Sequence, residues 1–277
     1  MVPSFLSGEQ HPYWSRFRPT LRYLGETEAH VYALAIAASV LLSFYPFIIV
    51  MLSFCRNVLH WRAAEAAIYL ALNDSLPGDV GEFVRRNLPA RGSVQVTSMI
   101  LLLVTANGVF EPLEVALNRC WGVARNRSYV RNQLVALGMI FACGGLALLS
   151  FMLTALNQSW MADFGSHAAL QNWLNLLIFK IAALPISILA LFLVYWLLPN
   201  RKIDPARVAP AAILVGLALE AMKYVNLLVF PLFREKLQRE YGVFQHSVAI
   251  LLWSFVASLA VLAGAEWSAR SAMMEKK

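Results

Sequence analysis

Charged side chains are scarce in this chain, and no polar segment is long enough to fold as a soluble domain. Only 14% of the 277 residues are charged and 59% are hydrophobic, and the mean hydropathy is +0.60. Soluble domains carry about 25% charged and about 45–50% apolar residues. The longest polar stretch, residues 56–93, is short and is interrupted by apolar side chains. These shortages exclude most soluble enzymes and indicate a membrane protein.

Residues that serve metal, redox or nucleotide chemistry are equally sparse. The five histidines show no HxxxH or HxHxDH spacing, and the three cysteines form no CxxC pair. The chain also lacks a Walker loop, a GxSxG elbow and a GxGxxG turn. We therefore predict no metal site, no cofactor and no catalytic residue. Cys55, Cys120 and Cys143 are interpreted as small apolar packing residues.

Six apolar segments are long enough to cross a bilayer, which takes about 20 residues of helix. The first contains 25 uncharged residues, from Val31 to Cys55. The predicted fold class is all-α, a polytopic membrane protein with six transmembrane helices. They form a transmembrane domain of residues 31–266, between an N-terminal segment 1–30 and a tail 267–277. The predicted spans lie near residues 31–54, 94–117, 133–157, 173–198, 208–233 and 245–266.

The distribution of Lys and Arg predicts the orientation, because these residues collect on cytoplasmic loops. Loops on the side of the two termini carry 13 of them, against 8 on the opposite side. The loop 158–172 carries none. Both termini are therefore predicted to be cytoplasmic.

The first outer loop contains apolar residues at helical spacing. Trp61, Ala64, Ile68 and Leu72 indicate one short helix, and the segment 79–88 indicates a second. Two interpretations are open. The helices either lie at the membrane interface as amphipathic helices, or simply pack on the bundle.

Polar residues in the second predicted span form a stripe: Asn107, Glu111, Glu114 and Asn118 recur every three or four residues. A carboxylate inside the hydrocarbon costs about 2.5–3.5 kcal/mol, so it needs a cation, a proton or a watery cavity. One interpretation makes the stripe a substrate path or cation site. The other ends the helix near Phe110 and turns the carboxylates to the cytoplasmic headgroups.

The fifth span carries a second ionisable group. Glu220 and Lys223, at i and i+3, can pair on one helix, which lowers the cost of inserting both. The pair is a candidate for the substrate path. Alternatively it is a tie between helices, with Lys223 meeting Glu111 or Glu114.

Proline and glycine predict bends in three spans. Pro46 lies in the first, Gly108 and Pro112 in the second, and Pro185 in the fourth. A proline within a helix removes a hydrogen bond and leaves a free backbone acceptor.

The net charge of +7 points to anionic headgroups as partners and not to nucleic acid, because inner loops of membrane proteins collect cations. The oligomeric state does not follow from the sequence. Candidate headgroup contacts are Arg119, Arg125, Arg127, Arg201 and Lys202.

An ordered set of short motifs resembles the YihY/BrkB family of bacterial inner-membrane proteins. The set runs from about residue 20 to 270. Its members are Ser43-Phe44-Tyr45-Pro46-Phe47, Gly108 to Leu113, Leu117 to Val123, Leu198 to Lys202, Glu240-Tyr241-Gly242, Leu251-Leu252-Trp253 and Leu262 to Glu266. The chain departs from the family pattern at Pro210-Ala211-Ala212 and at Val243 to His246.

The resemblance implies six transmembrane helices in the bacterial inner membrane. The family has carried a ribonuclease BN label, but that activity needs a metal-binding signature that this chain lacks. Other members are associated with serum resistance and with export of lipopolysaccharide precursors. We therefore expect a non-enzymatic transporter or flippase for an amphipathic anionic envelope lipid or precursor. The alternatives are a membrane scaffold or envelope-assembly factor and, third, a membrane lipid hydrolase.

Overall fold

The computed structural model describes residues 12–25, 27–75, 96–123, 127–163 and 184–274, and the regular structure of these residues is helical. A 3-10 turn, Gly242–Phe244, joins the last two helices. The helices are α1 Pro12–Leu24, α2 Thr27–Asn57, α3 Arg62–Ser75, α4 Val96–Cys120, α5 Tyr129–Asp163, α6 Leu184–Leu197, α7 Pro205–Tyr241 and α8 Gln245–Met274.

Four described helices are long and apolar enough to cross a membrane. The qualifying segments are Glu28–Asn57 of α2, Tyr129–Ser150 of α5, Pro205–Asn226 of α7 and Gln245–Ala272 of α8. They hold the first, third, fifth and sixth spans predicted from the sequence. Helix α6 is a shorter apolar helix in its described part, and residues 173–183 of the predicted fourth span lie outside the described residues. The chain is thus an all-α, multi-pass membrane protein.

The helices approach one another through small residues. Helix α2 packs along α4 and α8, and α7 packs along α8. Ala116 of α4, Ala211 and Ala212 of α7 and Ala265 of α8 are fully buried in the main core. Small side chains let helix backbones come close in a membrane, where packing rather than water drives association.

Helix α3 packs on the bundle. Ala64, Ile68 and Leu72 are buried against Leu52 of α2 and Ile250 of α8. The sequence prediction of a helix here is confirmed, and of its two interpretations the structure supports packing on the bundle. The second predicted helix, 79–88, lies outside the described residues.

Both described chain ends lie at one end of the bundle, which we call the terminal end. Thr20 of α1 donates a hydrogen bond to Glu266 of α8, and Arg270 donates to both residues. The start of α7 also lies at the terminal end, because Arg207 donates a hydrogen bond to the carbonyl of Ala272 at 3.2 Å. Helix α8 continues past residue 266 to Met274, so most of the segment 267–277 is its last turns.

Candidate functional site

A buried ion pair involves the C-terminal part of α4, at the terminal end of the bundle. The Oε1 atom of Glu114 is 3.2 Å from Nη1 of Arg127, and the two side chains are only 3% and 9% exposed. Asn118, one turn after Glu114, donates from Nδ2 to the same Oε1 atom at 3.5 Å. A carboxylate at this depth needs a partner charge, and Arg127 supplies it.

Arg127 also binds the end of α6. Its guanidinium donates to the carbonyl oxygens of Leu197, Leu198 and Pro199 at 3.2, 2.6 and 3.0 Å. The last carbonyls of a helix have no partner within the helix and carry its negative dipole. A cation is therefore well placed here, and it joins the chain before α5 to α6.

The segment after α6 is also tied to α4. Oδ1 of Asn118 accepts a hydrogen bond from the backbone N–H of Asn200 at 2.6 Å, and Arg201 donates to the carbonyl of Trp121 at 2.8 Å. We call Glu114, Asn118, Arg127 and Asn200 the Glu114 network. It links α4 to the chain just before α5 and to the chain just after α6.

The polar side chains predicted to form a stripe on α4 do not all point the same way. Glu114 and Asn118 are 2% and 1% exposed as whole residues, whereas Glu111 lies on the exposed side of the helix. The Asn107 side chain lies outside the described set. Helix α4 continues past Phe110 to Cys120, so the alternative interpretation in which the helix ends near Phe110 is wrong. The buried part of the stripe serves the Glu114 network.

The other predicted pair forms within α7. Nζ of Lys223 is 2.8 Å from Oε2 of Glu220, and the side chains are 32% and 25% exposed. The cation bound to Glu114 is Arg127 and not Lys223. Asn226, one turn further along α7, was not singled out from the sequence. It is 3% exposed, and its Oδ1 has no hydrogen-bond partner among the described residues.

Two cavities open at the terminal end on the segment that follows α6. The larger cavity measures about 500 Å³ and the smaller about 250 Å³. They share Arg201, Lys202 and Ile203. The larger is otherwise lined by Arg127, Arg131, Trp196, Leu197, Pro199, Asn200 and Pro205, and the smaller by Trp121, Asp204, Arg207 and Ala272.

Three of the predicted headgroup contacts meet here, namely Arg127, Arg201 and Lys202. Arg119 does not join them, since it forms an exposed ion pair with Glu28 of α2 at 2.6 Å. Arg125 lies outside the described residues. Two further cations, Arg131 and Arg207, line the cavities. From the sequence, they entered only the count of loop cations that predicts how the protein is oriented in the membrane. Their positions in cationic loops indicate contact with headgroups, but the direction in which each side chain points depends on how the loops fold.

The residues expected to bend helices lie within or at the beginning of the described helices. Helix α2 continues through Pro46, and α4 continues through Pro112. Pro185 lies at the beginning of the described part of α6. At Gly108 a Cβ atom would lie 3.0 Å from Oγ of Ser39, so this glycine allows α2 and α4 to approach closely. Bends at these positions stay a prediction.

Comparisons with known proteins agree with this architecture. The family model described as Virulence factor BrkB matches residues 20–277. UPF0761 membrane proteins of Xanthomonas campestris pv. campestris (strain B100) and Xanthomonas axonopodis pv. citri (strain 306) are each 22% identical over 218 residues. Each alignment covers 74% of this chain and 48% of the relative, so the chain spans about half the length of the curated relatives that it matches. No solved structure gives a significant match.

Proposed function

Because the chain belongs to the Virulence factor BrkB family, we propose that it is an inner-membrane protein that transports or flips an anionic envelope lipid. The substrate class is an amphipathic lipid or precursor with an anionic headgroup, of which a lipopolysaccharide-type lipid is one example. The protein acts without a cofactor and without covalent chemistry. Its partners are therefore membrane lipids rather than nucleic acid.

Contacts at the terminal end support six passes. Helix α2 begins where α4 ends, as the Glu28–Arg119 pair shows. The chain before α5 meets the end of α6 through Arg127, and α7 begins beside the end of α8 through Arg207. Six helices that alternate in direction bring both chain ends to one side. The excess of Lys and Arg in the loops of that side favours the cytoplasm.

The observation that carries the proposal is the larger cavity. At about 500 Å³ it falls in the range of small-molecule sites, which is about 300–1,000 Å³. Cations gather in it, namely Arg127, Arg131, Arg201 and Lys202. Trp196 and Leu197 add an apolar wall. Cations attract an anionic headgroup, and the apolar wall suits the glycerol or acyl part of a lipid.

The Glu220–Lys223 pair is proposed as a later point on the path. Glu220 lies thirteen positions after Arg207, which corresponds to about 20 Å along a helix. The pair is thus deep in the hydrocarbon if Arg207 is near the headgroups. Both side chains are partly exposed, so they can meet a polar headgroup in passage.

The first test removes the two cations that both cavities share. Purified Arg201→Gln/Lys202→Gln protein is expected to bind phosphatidylglycerol about tenfold more weakly, because two charge-assisted contacts are lost. Native mass spectrometry with phosphatidylglycerol and phosphatidylcholine measures this. The matched control is Lys236→Gln/Arg239→Gln, two exposed cations on the same helix as Arg207 but away from both cavities.

Equal binding of phosphatidylglycerol to the wild type and the cavity variant would contradict the proposal. So would equal binding of phosphatidylcholine and phosphatidylglycerol to the wild type. Arg201 also donates to the carbonyl of Trp121, so its loss can disturb the loop. Lys202→Gln alone keeps that bond and is expected to weaken binding in the same direction.

The second test addresses movement rather than binding. In reconstituted vesicles, Glu220→Gln/Lys223→Met is expected to slow translocation of a labelled anionic lipid about tenfold. The reason is that the charge of the lipid headgroup costs several kcal/mol deep in the hydrocarbon when it has no polar partner. Lipid binding and folding stability should stay unchanged. A scramblase assay by dithionite quenching measures the rate. An unchanged rate would remove the pair from the path, and loss of folding would assign the pair a structural role within α7.

The Glu114 network favours a second candidate, a membrane scaffold or envelope-assembly factor. Its four residues link three parts of the chain. Two of them, Arg127 and Asn200, also line the larger cavity, but Glu114 and Asn118 are buried and hold helices together. If the wild-type protein does not move lipid but the network is essential for folding, the scaffold is the better function.

A further inference from the structure

The two cavities at the terminal end are divided by one short segment of chain. Arg201, Lys202 and Ile203 line both, so this segment lies between the two spaces. Each cavity adds its own cations: Arg127 and Arg131 in the larger, and Arg207 in the smaller. We propose that the ligand carries two separate phosphate groups, one seated in each cavity. This inference rests on the proposed function and names its substrate class.

The charges of the lining residues call for more than one anion. Five cations line the two cavities, and Asp204 is the one carboxylate among their described lining residues. Arg127 is already paired with Glu114, which leaves Arg131, Arg201, Lys202 and Arg207. The carboxylate of Asp204 accepts a hydrogen bond from the backbone N–H of Ala206 at 3.1 Å and caps α7. It is therefore engaged by the positive end of a helix. A headgroup with one phosphate fills one cavity and leaves the cations of the other to water.

Arg127 gives the larger cavity a cation that the fold holds in a fixed position. Its side chain is only 9% exposed, and it lines the cavity. Its Nε has no hydrogen-bond partner among the described residues. This Nε is closed to the cavity, as is the Oε2 atom of Glu114, which also has no partner among the described residues. An anion in the cavity therefore meets Arg127 only through the part of the side chain that lines it. Arginine is also suited to bidentate binding of phosphate.

The dividing segment limits how the two phosphates are joined. Even backbones that pair in a sheet lie about 4.7–4.9 Å apart, so groups on opposite sides of this segment are farther apart than that. The two phosphorus atoms of a diphosphate share a bridging oxygen and are too close to sit on both sides of it. The ligand therefore has a spacer, such as a glycerol or a sugar, between its phosphates.

The experiment compares three lipids on the purified full chain in detergent. Cardiolipin carries two phosphates on a glycerol spacer, phosphatidylglycerol carries one, and phosphatidic acid carries up to two charges on a single phosphate. Cardiolipin is expected to bind about tenfold more tightly than either of the others, as measured by native mass spectrometry. Equal binding of phosphatidic acid and cardiolipin would show that total charge decides the affinity, and would overturn the inference.

Two variants test the two cavities separately. Arg131→Gln changes only the larger cavity, and Arg207→Gln only the smaller. Each is expected to lower cardiolipin affinity about tenfold, to the level of phosphatidylglycerol, while phosphatidylglycerol affinity falls far less. Lys236→Gln is the control. Arg207 also supports α8 through Ala272, so the exposed Arg131 keeps the test valid if Arg207→Gln does not fold.

The possible results separate this inference from the proposed function. If anionic lipids bind and cardiolipin has no advantage, only the two-phosphate inference fails. If no anionic lipid binds better than phosphatidylcholine, both fail. Soluble glycerol 1,3-bisphosphate is the competitor. Weak displacement of cardiolipin supports a lipid ligand, whereas displacement as strong as that by cardiolipin itself would assign the site to a soluble bisphosphate and overturn the lipid assignment.

Discussion

Glu114→Ala is expected to lower the free energy of unfolding by about 3–5 kcal/mol, the usual cost of breaking a buried ion pair. The substitution leaves the guanidinium of Arg127, whose side chain is only 9% exposed, without its carboxylate partner. It also removes an acceptor of the Asn118 side-chain amide. Titration with SDS from detergent micelles, followed by circular dichroism, measures the loss.

Glu111→Ala is the matched control for this prediction. Glu111 lies on the same helix, three residues earlier, and is exposed. Its replacement is expected to change the stability by no more than about 0.5 kcal/mol. Equal effects at the two positions would show that the ion pair contributes nothing.

A double substitution separates the charge from the space it fills. Glu114→Leu/Arg127→Met removes both charges and keeps most of the volume. Replacing both partners of a buried pair by apolar residues is often neutral or stabilising, so the double variant is expected to be more stable than Glu114→Ala. Arg127 also holds three carbonyls of the α6 end, so recovery is expected to be partial. No recovery would mean that these carbonyl contacts, and not the ion pair, dominate.

Much of the fold can be predicted from the sequence because hydropathy reports directly on the solvent. The uncharged run from Val31 to Cys55 lies within α2, as expected. The period of Ala64, Ile68 and Leu72 predicts α3, because a helix that packs on a bundle buries one face. The family resemblance read from short motifs is confirmed by the match over residues 20–277.

The partners of the charged residues could not be predicted in the same way. Helical spacing places Glu111 and Glu114 on neighbouring rows, but only the neighbouring elements decide which of them is buried. The partner of Glu114 comes from the chain before α5, and the partner of Asn118 is a backbone N–H at Asn200. The sequence alternative that linked Lys223 to α4 was wrong because Lys223 pairs within α7.

The cavities lay beyond sequence reasoning for a related reason. A cavity is the space left between elements, and here three separate parts of the chain line it: the start of α5, the end of α6 and the start of α7. The cationic loops predicted that anions are attracted to this side. They did not predict that Arg119 turns to Glu28 while Arg131 and Arg207 line the cavities.

Gly264→Ala is expected to destabilise the protein by about 1–3 kcal/mol, the cost of adding a methyl group to a packed core. A Cβ at Gly264 of α8 would lie 2.8 Å from the hydroxyl oxygen of Tyr195 and would also overlap Val215 of α7. Tyr195 cannot move aside easily, because it is 1% exposed and its hydroxyl donates to the carbonyl of Val261 at 2.8 Å. The same SDS titration measures this change.

Gly138→Ala is the control for the close approach at Gly264, because nothing lies within 4 Å of a Cβ at Gly138 of α5. Alanine forms helix more readily than glycine by about 0.8–1.0 kcal/mol, so this variant should be as stable as the wild type or more stable. Adding Val215→Ala to Gly264→Ala should cost less than the sum of the two single changes, since the smaller side chain relieves part of the overlap. Strict additivity, or a neutral Gly264→Ala, would show that α6, α7 and α8 do not meet closely at this glycine.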